Sequence, residues 1–376
     1  MRKVCGSIIS CLVLAVLATT SLAEAAGVVR VHRIEGGIYG VTASSLERAL
    51  AEAESEGAVL FVLELDTPGG LVTAAEDMIS AILNSEVPVA AFVTPKGAHA
   101  ASAGFFLLIA SDVAAMSPVT RTGSAHPVTI GGENSAQDIG LKKLAEDLAA
   151  LIRSAAAARG RPAELAEKAV SEAKSWSAEE AVQAGLVDVI ADDLDELIDL
   201  LDGREIVRSD GTRQTLSLKG AVVVRHEPTA LENIEEFLFH PVTMGLLLVL
   251  AGLGFYIEFN NPGMIVPGVV GALCLLVFLY GSQVLPVNLV GIALVALGIV
   301  LFVLEIKIVS YGLLTLAGGV SVAAGLYLLF DRAVPGTGVS LAAIAAIAVA
   351  AMAAAGAVTW MVVRAQRQKP TTGREG

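Results

Sequence analysis

From about residue 240 onward the chain is almost continuously apolar, and this constrains its fold more than any other feature. Five stretches, about Val242 to Phe259, Met264 to Gly281, Val287 to Leu304, Ile308 to Phe330 and Leu341 to Val363, stand out. Each approaches the roughly 20 residues that cross a ~30 Å hydrocarbon core as a helix. The whole sequence is 55% hydrophobic with a mean hydropathy of +0.70, too apolar for a purely soluble protein. Residues 27 to 240, by contrast, intersperse charges as an ordinary acidic soluble domain does. The expectation is a soluble domain, an all-α membrane domain of about five helices over 241–363, and a basic tail over 364–376.

The first 25 residues read as a signal peptide. Arg2 and Lys3 form the basic start, Ile8 to Leu17 the apolar region, and Ala23-Glu24-Ala25 the cleavage motif. The soluble domain is then exported. With an odd number of spans the C-terminus is cytoplasmic, where Arg364, Arg367, Lys369 and Arg374 satisfy the positive-inside rule. Pro262 leaves room for a re-entrant pair at the first two stretches. Glu258, Glu305 and Lys307 fall near span ends, where long charged side chains are expected to snorkel to the interface. Cys5 and Cys11 lie in the signal and leave Cys274 alone, so no disulfide framework is expected. A formal charge of −13 argues against nucleic acid as a partner.

Between the signal and the spans, apolar runs alternate with helical patterns. Strands are expected at Val28 to Ile34, Val59 to Leu65, Val87 to Val93 and Val113 to Ser117. Helices are expected at Thr42 to Ser55, Val72 to Asn84, Ala101 to Ala110, Lys142 to Arg159 and Ala163 to Lys174. Ser177 and Glu180 have capping-box spacing, and Gly185 suits a left-handed helix end before a strand at Leu186 to Ile190. Such alternation predicts a largely parallel sheet covered by helices on both faces over 26–202. The polar, weakly patterned segment 203–240 reads as an edge hairpin and juxtamembrane linker.

Two segments of the soluble part carry chemistry. Leu60 to Leu65 breaks into Asp66-Thr67-Pro68-Gly69-Gly70, and downstream runs Gly97-Ala98-His99-Ala100-Ala101-Ser102-Ala103-Gly104. Together they offer a hydroxyl at a strand-to-helix turn and a glycine pair whose N–H groups can face an oxyanion, the two halves of an acyl-transfer site. A serine hydroxyl needs a base, and His99, His126 and Lys143 are the candidates. His99 is three residues before Ser102, too close for the opposed geometry of a triad, and reads as a rim residue. No histidine and carboxylate cluster has metal-ligand spacing, so no metal or cofactor is expected.

These segments, with Ser177-Ala178-Glu179-Glu180-Ala181 and Gly185-Leu186-Val187-Asp188, resemble the membrane-bound serine proteases of the NfeD family. Gly254-Phe255-Tyr256-Ile257-Glu258-Phe259, Asn261-Pro262-Gly263, Pro267-Gly268-Val269-Val270-Gly271 and Phe302-Val303-Leu304-Glu305 are similar to that family's transmembrane pattern. The resemblance implies an α/β protease domain of ClpP/crotonase fold followed by the all-α transmembrane domain. It implies Ser102 as nucleophile and the N–H groups of Gly70 and Ala103 as the oxyanion hole. A serine–lysine dyad, as in archaeal members, places the base at Lys143, counted back from Ile152-Arg153-Ser154 and Gly160-Arg161. Lys142 then points about 100° away on the helix. His126 competes, because its spacing from Ser102 is similar to that in ClpP; Asp188 and Asp138 are the carboxylates available to orient it. Implied substrates are apolar segments of membrane-associated proteins, stomatin-like proteins among them, and the domain is expected to form a homo-oligomer. The alternatives are a Ser–His protease or a non-proteolytic scaffold for stomatin-like partners. Long members of the family carry an OB-type barrel after the last span, whereas this chain ends about a dozen residues beyond Val363. A function that needs the barrel is expected to be absent or supplied by another polypeptide.

Overall fold

A computed structural model describes residues 27–127, 139–209, 211–260, 263–282, 285, 287–308, 310–330 and 338–367. The expected signal peptide, Asp138, Pro262 and the end of the basic tail lie outside the described residues. The soluble part alternates β1 (Val28–Glu35), α1 (Gly40–Ser55), β2 (Leu60–Asp66), α2 (Val72–Asn84), β3 (Val89–Val93), β4 (His99–Ala101), α3 (Ala103–Ala110), β5 (Val113–Met116) and β6 (Arg121–Gly123). It continues through α4 (Ile139–Ala158), α5 (Ala163–Ser171), β7 (Ser175–Ser177), α6 (Ala178–Gln183), β8 (Val189–Ile190) and α7 (Leu194–Leu201). The capping box forms as expected, with Ser177 Oγ accepting from the Glu180 N–H at 3.2 Å, and Gly185 takes a φ of 71°.

The main sheet has six strands, β8, β5, β3, β2 and β1 with a last edge strand β11 (Val222–Arg225), all paired in parallel. Its central strands are buried on both faces, which is why they read as unbroken apolar runs. Phe61, Leu63 and Leu65 of β2 point into the cluster with α1, α2, α3 and α4, while Leu60 and Val62 face the cluster that contains Leu197 and Leu201 of α7. A second sheet of β4, β6 and β7 lies beyond the ends of the central strands, tied on by the Thr67–Ala100 bridge.

The segment 203–240 holds more structure than its sequence pattern suggests. β9 (Glu205–Val207) and β10 (Arg213–Thr215) form an antiparallel hairpin of their own, and β11 joins the main sheet beside β1. A helix, α8 (Ala230–Phe239), then leads to the membrane part. Its start is a capping box: Glu232 N–H donates to Thr229 Oγ1 at 3.2 Å, and Thr229 N–H donates to the Glu232 carboxylate at 2.7 Å. The T-x-x-E spacing was present in the sequence and is the signal that could have placed this helix.

Glu232 also pairs with Arg48 of α1 at 3.1 Å, beside the buried rings of His32 and His226, whose centroids are 5.0 Å apart. Burial, aided by His226, lowers the pKa of His32 from 6.5 to about 4. Burial raises the Glu232 pKa, but the Thr229 N–H, the Ser45 and Thr229 hydroxyls and Arg48 together hold it down at about 2. His32 therefore stays neutral in the fold while the unfolded chain takes up its proton near 6.5. The stability it contributes is complete above pH 6.5 and is lost as pH falls from 6.5 towards 4. The expected loss from this one group between pH 7.5 and 5 is about 2 kcal/mol. Denaturation of the full chain in detergent should show that loss in the native protein, and His32→Gln should remove it.

The membrane part comprises α9 (Pro241–Asn260), α10 (Ile265–Gly281), α11 (Leu289–Lys307), α12 (Leu313–Leu328) and α13 (Leu341–Arg367). Among the described residues three segments are long and apolar enough to cross a membrane, Pro241–Asn260, Leu289–Lys307 and Leu341–Val362; α10 and α12, at 17 and 16 residues, are shorter. Two of the charged residues expected to snorkel do something else. Glu305 is 8% exposed and caps α12, accepting from the Ser310 hydroxyl at 2.6 Å and the N–H groups of Gly312 and Thr315 at 2.9 and 3.1 Å. A helix N-terminus with unpaired donors stabilises that carboxylate better than a long reach to water does. Glu258 lies against Gly268 of α10, where a Cβ would overlap its carboxylate. Lys307 rests its ammonium 5.5 Å from the Phe259 ring centroid.

Candidate active site

The site is built where β4 ends and α3 begins. Strand β4 is short and held on both sides: Thr67 N–H donates to His99 O at 2.7 Å, Ala101 N–H to Thr67 O at 3.0 Å, and Ala101 pairs with Gly123 of β6. The Thr122 hydroxyl adds a bond to Ala100 O at 2.7 Å. Ser102 follows with φ 53° and ψ −119°, a conformation that an L-residue adopts only when its surroundings fix it. Here its own N–H is held by Gly123 O at 2.9 Å. This is the sharp strand–serine–helix turn that thrusts a hydroxyl out of the backbone. Ser102 occupies the N-cap of α3 but its side chain makes no capping bond, so the hydroxyl is left for another task.

Helix α3 is buried along its whole length and aims its N-terminus at Ser102. Its far end is fixed by arginines from the corner between α4 and α5. Arg159 donates to Ala110 O at 2.7 Å, and Arg161 donates to Ile109 O and Ser111 O, each at 2.7 Å. Asp112 balances Arg159 and Arg208, and Asp188 balances Arg161 at 2.6 Å. Cationic donors at a helix C-terminus favour both its hydrogen bonding and its dipole. Asp188 also accepts from Ala114 N–H at 2.8 Å, which commits to the sheet a carboxylate that sequence reasoning had left available for His126.

The first glycine of the pair lies against the serine and the second against Ile38. Gly69, at φ 109°, is so close that a Cβ there would stand 2.9 Å from Ser102 Oγ. Gly70 bridges Ile38, and a Cβ on it would fall on the Ile38 carbonyl oxygen. That bridge is made by Ile38 N–H to Gly69 O and Leu71 N–H to Ile38 O, both at 2.9 Å, and it leaves the Gly70 N–H out of the ladder. Among the described residues neither the Gly70 nor the Ala103 N–H donates to a carbonyl. Unpaired backbone donors are what an oxyanion hole requires. The sequence did not announce Ile38, which positions Gly70, or Thr67, which is fully buried and accepts from Gly69 N–H at 3.1 Å. Thr67 was visible only as part of the Asp66-Thr67-Pro68-Gly69-Gly70 motif.

The candidate bases are placed differently. His99 sits on the rim, its Nδ1 3.2 Å from Asp66 Oδ1. His126 Nδ1 lies 2.7 Å from Val170 O; a carbonyl only accepts, so this nitrogen is the donor, and in the neutral tautomer Nε2 is the acceptor. Lys142 and Lys143 are both exposed on α4. The buried face of α4 carries Leu148, Ala149, Ile152, Ala155 and Ala156. Lys143 precedes Ile152 by two and a half turns and so points away from that face, whereas Lys142 precedes Ala149 by close to two turns and lies nearer to it. Both line a shallow groove with Ile139, Glu146, Asp147 and Ala150. Among the described residues no hydrogen bond joins Lys143 to Ser102, and residues 128–138, which lead into α4, lie outside them.

Fold and site together define a serine-hydrolase type of α/β domain joined to a bundle of membrane helices. The NfeD1b N-terminal domain pattern matches residues 28–206, and the NfeD integral membrane domain pattern matches residues 242–364. The chain is 31% identical to the membrane-bound protease PH1510 of Pyrococcus horikoshii over 88% of its own length and 74% of the relative's. It is 30% identical to the membrane protein NfeD1b of Bacillus subtilis, over 78% of its own length and 65% of that protein's. Two solved structures of the membrane-bound stomatin-specific protease 1510-N also match. One, with a serine replaced by alanine, matches at TM-score 0.52 and 32% identity and covers 55% of this chain and all of the other. The second, with a lysine replaced by alanine and bound to a substrate peptide, matches at TM-score 0.53 and 30% identity, over 57% of this chain and 98% of the other. The chain belongs to the NfeD family of membrane-bound serine proteases, and its soluble domain is ClpP-like.

Proposed function

We propose that the chain is an endopeptidase that cleaves apolar segments of membrane-associated proteins, stomatin-like proteins among them, by acylation of Ser102. The observation that carries this reading is the contact of Gly69 with a strained, uncapped Ser102 at the N-terminus of a buried helix. Ser102 Oγ attacks the scissile carbonyl carbon as the base takes its proton. The N–H groups of Gly70 and Ala103 hold the oxyanion, and the α3 dipole favours the charge that develops there. Collapse of the tetrahedral intermediate expels the amine, which receives the proton, and water then hydrolyses the acyl-enzyme by the same route.

Lys143 is the proposed base. The serine and lysine replaced in the two 1510-N structures are the same number of residues apart as Ser102 and Lys143. Lys143 is exposed on the first turns of α4, from where its ammonium can be brought to Ser102 by its own chain or by a second copy. A homo-oligomer fits the second route. His126 is the alternative base, favoured by the Val170 contact that leaves its Nε2 free to accept. A serine-reactive fluorophosphonate tests the acyl-enzyme reading under either base. The expected result is a single adduct on Ser102; a protein that cleaves an apolar peptide while Ser102 stays unlabelled would overturn it.

A further inference from the structure

Helix α8 has an apolar face that stands exposed among the described residues. Leu231, Ile234 and Phe237 are 56%, 53% and 67% exposed. Spaced three apart, they lie within about 60° on either side of Ile234 and form one stripe along the helix. The opposite side is engaged: Glu232 is buried against Arg48 of α1 at 3.1 Å, and Glu235 approaches the same guanidinium at 4.0 Å. At its C-terminal end Phe239 packs on Tyr280 of α10, with ring centroids 5.6 Å apart, and beside Gly281. Only His240 separates α8 from α9, whose apolar span begins at Pro241.

These contacts fix where the free stripe is. The end of a membrane span lies at the bilayer surface, and a ten-residue helix reaches only about 15 Å from it. Both ends of α8 are tied, so the stripe stays within that distance of lipid. We infer that α8 is an interfacial helix, with Leu231, Ile234 and Phe237 set into the headgroup–acyl boundary on the side of the membrane that carries the protease domain. Helices that bind membranes on their own are usually basic on the polar face. Residues 230–239 contain no lysine or arginine, so attraction to anionic lipid contributes nothing and chain continuity with α9 does the placing. A second copy of the chain is the competing occupant of the stripe.

Spin labels in the full chain reconstituted into phosphatidylcholine nanodiscs distinguish the two. Cys5, Cys11 and Cys274 are replaced by serine, and a nitroxide is attached in turn at Ile234→Cys, Phe237→Cys and Asn233→Cys. The expected result is an oxygen-to-nickel-chelate accessibility ratio several-fold higher at positions 234 and 237 than at 233. That ratio should not change when half of the phosphatidylcholine is replaced by phosphatidylglycerol. Equal ratios at the three positions would overturn the inference. So would low accessibility to both reagents at 234 and 237 together with spin–spin broadening between copies, which would assign the stripe to a second chain.

Discussion

Ser102→Ala should abolish peptide cleavage, with a loss of several orders of magnitude in kcat, while leaving the protein folded. The change removes one hydroxyl that makes no capping bond and adds no atom. Alanine at φ 53° carries the same backbone strain as serine, so the turn costs what it did before. The Ser102 N–H bond to Gly123 O and the bonds that hold β4 to Thr67 are main-chain bonds and survive the substitution. The unfolding free energy should therefore change by no more than a surface substitution changes it, about 0.5 kcal/mol. Residual turnover near the native rate would show that another group is the nucleophile. Gly70→Ala separates the same effects in the opposite way: its Cβ meets the Ile38 carbonyl, so it disturbs the fold and the oxyanion donor together and cannot isolate either.

The sequence revealed those parts of the molecule where a local pattern and the tertiary structure agree. β2 and β3 were legible because burial on both faces demands unbroken apolar runs, and α6 because Ser177 and Glu180 cap it reciprocally. Ser102, Gly69 and Gly70 were legible because a sharp turn and a close backbone approach restrict residue choice to serine, alanine and glycine. Other features depend on partners distant in the chain. Nothing local marks Ile38 as the residue that orients Gly70, or the arginines of the α4–α5 corner as the cap of α3. Helix α8 was hidden because it faces charge on one side and an apolar surface on the other, so neither composition nor hydropathy marks it as part of the domain or of the membrane. Glu305 was misjudged for a related reason: a carboxylate near a span end looks interfacial until Ser310, Gly312 and Thr315 supply donors to it.

If Lys143 takes the Ser102 proton, the expected outcome is loss of activity in Lys143→Ala with most activity kept in His126→Ala. The two bases also differ in what they need: a lysine accepts the Ser102 proton only through a neutral amine, a histidine through an unprotonated ring nitrogen. Lys142→Ala is the informative third variant. Lys142 is adjacent to Lys143 and lies nearer the buried face of α4, so it is the neighbouring amine that could take the role instead. Near-native activity in Lys142→Ala beside an inactive Lys143→Ala supports the dyad. Mixing the Ser102→Ala and Lys143→Ala proteins then tells which chain supplies the lysine. If the two sites in an oligomer are completed across copies, hybrids that pair an intact Ser102 with an intact Lys143 regain activity; if each copy completes its own, they stay inactive. An inactive His126→Ala with an active Lys143→Ala would assign the base to the imidazole, with the Val170 carbonyl setting its tautomer in the place a carboxylate takes in a triad.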